Sequence, residues 1–262
     1  MDTGLSKRIA LVNGASKGIG KAIAMGLSKE GASVCLVARN EIMLAAAAAE
    51  ITEATGGEVM FMVADVAEPD AAKGCVDFVR KTFGRVDILI NNAGGPAFGT
   101  LMSISETDWD NALQLSLRSA IRFTKEVIPG MLEHQWGRIV NVSSTVAKEP
   151  GPSMILSATA RAGLAAFSKA VSTEYAAAGI TVNTVCPGGV LTDRLKSLLE
   201  ARSKAEGKPY DELLEQSQKS IPIGRFASPE EFAETVVFLC SEPARYVTGT
   251  YLSVDGGLTK GM

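Results

Sequence analysis

The chain of 262 residues has few of the side chains that build metal centres or disulfide frameworks. It contains one histidine, His134, and four cysteines that form no C-x-x-C pair. Scattered cysteines of this kind are typical of small, reduced residues inside an apolar core. We therefore expect no metal site. We assign His134 no role, because a single histidine in a connecting segment is usually a surface residue.

The sequence also lacks an excess of either charge and any long apolar run. Lysine and arginine number 26, aspartate and glutamate 29, and the net charge at pH 7 is −3. This balance provides no basic face for nucleic acid. No apolar run reaches the roughly 20 residues of a membrane-spanning helix, and the first strand begins too early for a signal peptide. We expect a cytoplasmic protein whose partner is a small molecule, with no membrane or nucleic-acid partner.

Short apolar runs alternate with helix-like segments along the whole chain. Hydrophobic residues make up 46% of the sequence, which excludes a disordered chain. The pattern predicts an α/β fold in one domain spanning residues 1–262. Strands are predicted at 9–12, 33–38, 58–64, 86–90, 137–142, 180–185 and 251–254. Long helices are predicted at 109–131 and 154–178.

A glycine-rich turn from Asn13 to Gly20 follows the first predicted strand and leads into the first helix. Gly14 permits a tight turn at positive φ, Gly18 lets the backbone approach a pyrophosphate, and Gly20 lets the helix pack against the strand. Free N–H groups at the start of such a helix bind phosphate. The turn thus predicts a dinucleotide site; a purely structural turn is the alternative. Its candidate cofactor residues are Gly14, Ser16, Lys17, Gly18, Ile19 and Gly20.

The end of the second predicted strand indicates which dinucleotide is bound. Folds that prefer NAD place an aspartate or glutamate there, to accept hydrogen bonds from the ribose 2′-hydroxyl. This chain has Arg39 instead, and a guanidinium binds a 2′-phosphate through two hydrogen bonds. Lys17 could add a second positive charge. We therefore expect NADP(H) rather than NAD(H), although two solvated surface cations are the alternative.

The ends of later strands add further candidates. Asp65 and Val66 follow the third strand and could bracket an adenine, while a helix N-cap is an equally weighted interpretation of Asp65. The small residues Asn92, Ala93 and Gly94 follow the fourth strand and leave space for a cofactor ribose. Residues 193–220 are charged and helical, and lie where a substrate lid would sit. An ordinary exposed helical excursion would have the same composition.

Several motifs together resemble the classical short-chain dehydrogenase/reductases over residues 7–257, in particular members of the 3-oxoacyl-acyl-carrier-protein reductase type. Besides the glycine turn, they are the segments 91–94, 137–144, 180–183, 187–188 and 254–257. The resemblance implies a Rossmann-like, doubly wound parallel sheet of seven strands in a three-layer α/β/α arrangement. It also implies a homo-oligomer, either a tetramer or a dimer. By the same resemblance Pro187, Gly188 and Thr192 lie along the nicotinamide half of the cofactor.

The sequence departs from the family at the catalytic positions. The family uses an asparagine, a serine, and a tyrosine followed four residues later by lysine. In this chain Ser116, Ser144, Ser157 and Arg161 occupy those positions in that order. No tyrosine elsewhere has a lysine four residues after it.

The replacements change the chemistry that the site can perform. A serine hydroxyl is a far weaker acid than a phenol. An arginine is always cationic and cannot relay protons. Arg161 can still hydrogen-bond the nicotinamide ribose, stabilise an oxyanion, or bind a substrate carboxylate.

Two functions from different classes follow. The first is an NADP(H)-dependent oxidoreductase that reduces a carbonyl or oxidises an alcohol. In it Ser144 and Ser157 position the substrate oxygen, Arg161 supplies positive charge, and water or a lid residue such as Tyr210 supplies the proton. Lys148 follows Ser144 closely enough to approach the site, but a solvated loop lysine is the simpler interpretation. The second is a catalytically inactive NADP(H)-binding sensor or assembly protein.

The residues expected to form the walls of the substrate site are apolar, which suits a ketone or aldehyde with a hydrophobic part. These residues are Pro96, Phe98, Met154, Ile155 and Leu156.

Overall fold

A seven-stranded parallel sheet forms the centre of the molecule. The computed structural model describes residues 2–261, without the side chain of residue 205. The strands are β1 Ile9–Asn13, β2 Ser33–Ala38, β3 Val59–Val63, β4 Ile88–Asn91, β5 Gly137–Val142, β6 Ile180–Pro187 and β7 Tyr251–Val254. All neighbouring strands are parallel, in the order β3-β2-β1-β4-β5-β6-β7. Strands β2 and β3 extend the sheet on one side of β1, and β4 to β7 extend it on the other side. In doubly wound sheets ligands bind at this switch point, which here lies between β1 and β4.

Helices cover both faces of the sheet. They are α1 Gly18–Lys29, α2 Glu41–Thr55, α3 Ala71–Phe83, α4 Glu106–Leu113, α5 Ser119–Glu133, α6 Ile155–Tyr175, α7 Asp193–Glu206, α8 Tyr210–Lys219 and α9 Pro229–Cys240. One core joins the sheet to α1, α2 and α9, and the other joins it to α3, α5 and α6. Because both faces are covered, β1 and β5 are buried along their whole length. The predicted Rossmann-like, three-layer α/β/α fold is confirmed.

The predicted continuous helix over 109–131 is wrong at its start and in its middle. The helix begins earlier, at Glu106, where the Ser105 hydroxyl accepts a hydrogen bond of 3.2 Å from the Asp108 amide. It is then interrupted by a π-helical turn, Gln114–Arg118, before α5 begins. A π turn adds one residue to a helix, so the apolar periodicity on either side hardly changes. Ser116 lies in this turn and is buried.

Four buried polar side chains connect the centre of the sheet to α6. Asn13 donates to Asn91 across 3.3 Å, Asn91 donates to Asn141 across 2.8 Å, and Asn141 donates to the Ser168 hydroxyl across 2.7 Å. This asparagine chain runs from β1 through β4 and β5 to α6. Each of its donors is satisfied, which matters because an unpaired buried polar group is costly. The chain therefore ties the helix that carries Ser157 and Arg161 to the strands beside it.

The cysteines and the helices have the character that the composition indicates. Within residues 2–261 the four cysteines are free and buried. No set of three or more histidine, cysteine, aspartate and glutamate side chains in that range is placed to hold a metal ion. None of the helices described in it has both the length and the apolar character that crossing a membrane requires.

Candidate active site

A cleft of about 320 Å³ opens at the carboxyl ends of the central strands. Its walls come from the glycine turn, the loops that follow β4, β5 and β6, and the first turns of α6 and α7. Many of the residues predicted from sequence line it together. They are Gly14, Lys17, Ile19, Asn92, Ala93, Gly94, Ser144, Ser157, Arg161, Pro187, Gly188 and Thr192. The structure thus brings the three candidate catalytic residues and most of the candidate cofactor residues to one cavity.

Other predicted residues lie outside the lining of this cleft: Ser16, Gly18, Gly20, Arg39, Asp65 and Val66. A β-carbon at Gly20 would collide with the carbonyl oxygen of Gly14, the residue that directly follows β1. The glycine therefore allows α1 to pack closely against the end of this strand. Gly14 has φ of +62°, the positive angle that the turn was predicted to require.

Asp65 does not cap a helix. Its Oδ1 accepts a hydrogen bond of 3.0 Å from the Ala67 amide, whereas α3 begins later, at Ala71. Its Oδ2 lies 3.6 Å from Nη1 of Arg39, whose side chain is 80% exposed. The N-cap interpretation is therefore wrong, since the carboxylate closes a turn and pairs with the arginine at the end of β2. Val66 packs against the core on the α3 face of the sheet.

The first turn of α7 lies across the cleft and contacts both of its walls. Asp193 Oδ2 lies 3.1 Å from Lys17 Nζ, which joins α7 to the glycine turn. Arg194 Nη2 donates to the Pro96 carbonyl across 3.3 Å, and its guanidinium lies 5.2 Å from the centroid of the Phe98 ring. Sequence reasoning identified this segment but not these two residues. The only sequence feature that could have identified them is their position at the start of the predicted lid.

The two candidate serines occupy different settings. Ser144 follows β5, and its Oγ accepts a hydrogen bond of 3.4 Å from the Val146 amide at the start of a short 3₁₀ turn. That contact leaves its O–H free to donate. Ser157 lies in the first turn of α6 and is 6% exposed. Of the predicted apolar walls, Pro96, Phe98 and Met154 line the cleft, and Ile155 and Leu156 do not.

Arg161 lies one helical turn after Ser157 and is nearly fully buried, at 8% exposure. Its Nη1 donates to the backbone carbonyls of Val142 and Ser143, across 3.0 and 2.6 Å. Its Nε has no hydrogen-bond partner. Burial lowers the pKa of this guanidinium to about 10, so it remains a cation at neutral pH. The side chain is thus a fixed positive charge attached to the end of β5.

The proposed proton donors do not reach the cleft. Tyr210 begins α8 and is absent from the residues that line the cavity, which contradicts its predicted placement. Lys148 also lies outside the lining, with its Nζ 5.0 Å from the centroid of the Tyr251 ring. Burial raises the pKa of the Tyr251 hydroxyl, which makes it a poorer acid still. His134 follows α5 on the amino side of β5, away from the cleft.

A second, smaller cavity lies against Arg161. It has a volume of about 10 Å³ and is lined by three polar atoms without a hydrogen-bond partner: Asn13 Oδ1, Ser116 Oγ and Arg161 Nε. A single water molecule needs roughly this space and two to four polar partners. Ser116, at the family's asparagine position, therefore lines this interior cavity together with Arg161 and does not line the cleft.

The sequence of this chain is similar to a family of reductases along nearly its whole length. Residues 14–259 match the family model described as Enoyl-(Acyl carrier protein) reductase. The 3-oxoacyl-acyl-carrier-protein reductase FabG of Vibrio cholerae is 37% identical over 254 residues, which cover 97% of this chain and 98% of that protein. The chain belongs to the short-chain dehydrogenase/reductase family. The FabG protein of Staphylococcus aureus is 35% identical over 249 residues, or 95% of this chain and 97% of its own length.

Solved structures of other short-chain dehydrogenase/reductases have the same fold. L-sorbose reductase from Gluconobacter frateurii, complexed with NADPH and L-sorbose, superposes with a TM-score of 0.96 at 38% identity, covering 100% of both chains. A variant of actinorhodin polyketide ketoreductase with NADPH gives a TM-score of 0.94 at 37% identity, again over 100% of both chains. The resemblance that the motifs indicated is therefore confirmed.

Proposed function

We propose that this short-chain dehydrogenase/reductase is an NADPH-dependent reductase of a small carbonyl compound, and that it oxidises the corresponding alcohol in reverse. The observation that carries the proposal is the shared cleft. The glycine turn, the loop after β4 and the catalytic candidates Ser144, Ser157 and Arg161 all line one cavity at the switch point of the sheet. Two NADPH-bound relatives with the same fold support the choice of cofactor.

The residues present fit a dinucleotide. Gly94 has no atom within 4 Å of the position that a β-carbon would occupy, so the loop after β4 leaves open space beside it. The start of α1 offers backbone N–H groups to phosphate. In this proposal Asn92 and Ala93 contact the ribose, and Pro187, Gly188 and Thr192 hold the nicotinamide half. When bound, the reduced cofactor supplies a hydride.

The preference for NADP(H) rests on Lys17 and Arg39. Each of them is paired with a carboxylate, Lys17 with Asp193 and Arg39 with Asp65. Exposed ion pairs of this kind contribute only about 0–1 kcal/mol, so a phosphate with two charges can replace either carboxylate at little cost. In our proposal Arg39 binds the 2′-phosphate, and Asp65 with Val66 lies beside the adenine.

The protein's own residues then act on the substrate oxygen. Ser144 and Ser157 donate hydrogen bonds to it, and the cation of Arg161 stabilises the negative charge that develops there. Among the described residues, no tyrosine or histidine lines the cleft. The proton therefore comes from water in the cleft in this proposal. Loss of a positioned general acid typically lowers the rate about 10²- to 10⁴-fold.

The lid and the assembly are part of the same proposal. We infer that the whole chain forms one domain, and that residues 193–220, which contain α7 and α8, close over the substrate. The contacts of Asp193 and Arg194 with both walls of the cleft support this role. We also infer a homo-oligomer, either a tetramer or a dimer. The exposed apolar side chains of Phe238 and Leu252, on α9 and β7, support it.

A fluorescence titration with NADPH and NADH tests the cofactor assignment, followed by addition of aldehydes, ketones and oxo acids to the bound reduced cofactor. We expect tighter binding of NADPH and its oxidation by at least one compound. In Arg39→Asp the preference for NADPH should fall about tenfold or more, since a charge-assisted pair is replaced by repulsion. Failure to bind either nucleotide would overturn the proposal.

A second candidate is an inactive NADP(H)-binding sensor or assembly protein. The absence of a tyrosine at the cleft within residues 2–261 favours it. This function would be favoured over the reductase if NADPH binds but no carbonyl compound oxidises it and no alcohol reduces NADP⁺. The polar character of Ser157 and Arg161 supports the reductase, because a cavity without chemistry needs no buried cation.

A further inference from the structure

Arg161 differs from the other buried ions of the chain in having no counter-ion. Within the part of the chain that the structure describes, the buried charged side chains are Asp87, Arg138 and Arg161. Asp87 pairs with Arg85 across 3.0 Å, and Arg138 pairs with Glu242 across 3.5 Å. Arg161 forms no ion pair with a described residue. A buried charge normally has a partner of opposite sign, because its desolvation is otherwise uncompensated.

The guanidinium of Arg161 also retains unused donors. Two backbone carbonyls accept from Nη1, whereas Nε has no acceptor and Nη2 forms no hydrogen bond with a described residue. A guanidinium is planar, and each of its terminal nitrogens can donate to a carboxylate. The side chain is anchored through Nη1 and its Nε is buried, so Nη2 is the nitrogen left to bind an anion in the cleft.

The rest of the cleft does not supply that anion. Its charged lining residues are Lys17, Arg161, Asp193 and Arg194. Asp193 is exposed and lies 3.1 Å from Lys17, so it is not the counter-ion of the buried guanidinium. Ser157, next to Arg161 on α6, carries a hydroxyl that does not ionise near neutral pH. The substrate end of the cleft is therefore cationic, with its most buried charge beside the two serines.

We propose that Arg161 binds a carboxylate of the substrate, so that the protein reduces oxo acids in preference to uncharged ketones. The inference rests on the proposed reductase function and names its substrate class. Ser157 and Arg161 are four residues apart on a helix, so their β-carbons are about 5–6 Å apart on one face. A carbonyl oxygen at Ser157 and a carboxylate at Arg161 then fit one small molecule that carries both groups, and a 2-oxo acid is the simplest such probe.

The reaction balances with the carboxylate unchanged. The carbonyl carbon gains a hydride, with two electrons, as NADPH becomes NADP⁺. The π bond of the carbonyl breaks, a C–H bond forms, and the oxygen takes a proton from water in the cleft. The product is the corresponding hydroxy acid. Arg161 moves no proton: its Nη2 holds the carboxylate throughout, and the same fixed positive charge also lies near the carbonyl oxygen on which negative charge develops.

The first test compares a 2-oxo acid with its methyl ester as substrates in the presence of NADPH. We expect kcat/KM to be about 10- to 100-fold higher for the acid, the range that a hydrogen bond to a charged group provides. In Arg161→Lys, which keeps the charge but loses the planar fork, the ratio should fall by about tenfold. Arg245→Gln is the matched control, because this exposed cation lies outside the lining of the cleft and should change the ratio by less than about threefold.

The second test measures binding without turnover. Oxamate, an unreactive analogue of a 2-oxo acid, should bind to the wild-type protein in calorimetry, and at least about tenfold more weakly to Arg161→Lys. Thermal melting of the variant establishes that it is folded.

The two tests separate the two hypotheses. Equal use of acid and ester, a ratio unchanged in Arg161→Lys, or preference for a phosphorylated ketone would overturn the substrate class alone. A protein that binds oxamate through Arg161 but reduces no carbonyl compound would overturn the reductase function. The assignment of Arg161 as a carboxylate-binding residue would then still stand.

Discussion

At the scale of single residues, two substitutions decide what chemistry the cleft can perform. Ser157 and Arg161 stand where the family has tyrosine and lysine, and both are buried at the cleft. The hydroxyl keeps a hydrogen-bond donor but loses an acid of useful strength. The guanidinium keeps the charge but loses a removable proton. In the proposed reaction the two side chains therefore serve binding and charge stabilisation, and the proton comes from water.

Restoring the family's pair is the direct test of this interpretation. The double variant Ser157→Tyr with Arg161→Lys should reduce an uncharged ketone at least about tenfold faster than the wild type, because a phenol beside an ammonium becomes a positioned acid. Steady-state kcat with NADPH measures the effect. Arg161→Lys alone is the control and should show no such gain. An unchanged kcat in the folded double variant would mean that proton supply does not limit the rate.

At the scale of secondary structure, strands were predicted more closely than the interruptions of helices. Strands β1 to β4 are largely apolar runs, as expected for strands covered by helices, and such runs are visible in the sequence. The π turn at Gln114–Arg118 was missed, because one extra residue leaves the apolar pattern on both sides nearly intact. The asparagine chain was missed as well. Asn13, Asn91 and Asn141 are distant in sequence, and only the parallel register brings them side by side.

The asparagine chain should contribute measurably to stability. In Asn141→Ala the Asn91 amide loses its acceptor, and the Ser168 hydroxyl loses the hydrogen bond that it accepts. We expect the free energy of unfolding to fall by about 1–3 kcal/mol, the cost of leaving buried polar groups unpaired. Urea denaturation measures the loss. Asn40→Ala, which removes an exposed helix cap at α2, is the comparison and should cost about 1 kcal/mol.

The location of the site was predictable at the scale of the whole molecule, but its electrostatics were not. The glycine turn and the strand ends place a cleft at the switch point of the sheet. Which cations are neutralised depends on contacts between distant segments, such as Lys17 with Asp193 and Arg39 with Asp65. Sequence spacing contains no information on these pairs. The same holds for Tyr210, which lies in the predicted lid but outside the cavity.

Packing of the whole molecule predicts the reactivity of its thiols. All four cysteines are free and buried, and burial raises the pKa of Cys35 to about 12, of Cys75 to about 11 and of Cys240 to about 12. Since only the thiolate reacts, a disulfide reagent at pH 8 should label none of them within minutes in the native protein. After unfolding in guanidinium chloride all should react, which serves as the control. Rapid reaction of Cys35, Cys75 or Cys240 under native conditions would contradict the two-core packing, because these three cysteines belong to the cores between the sheet and its helices.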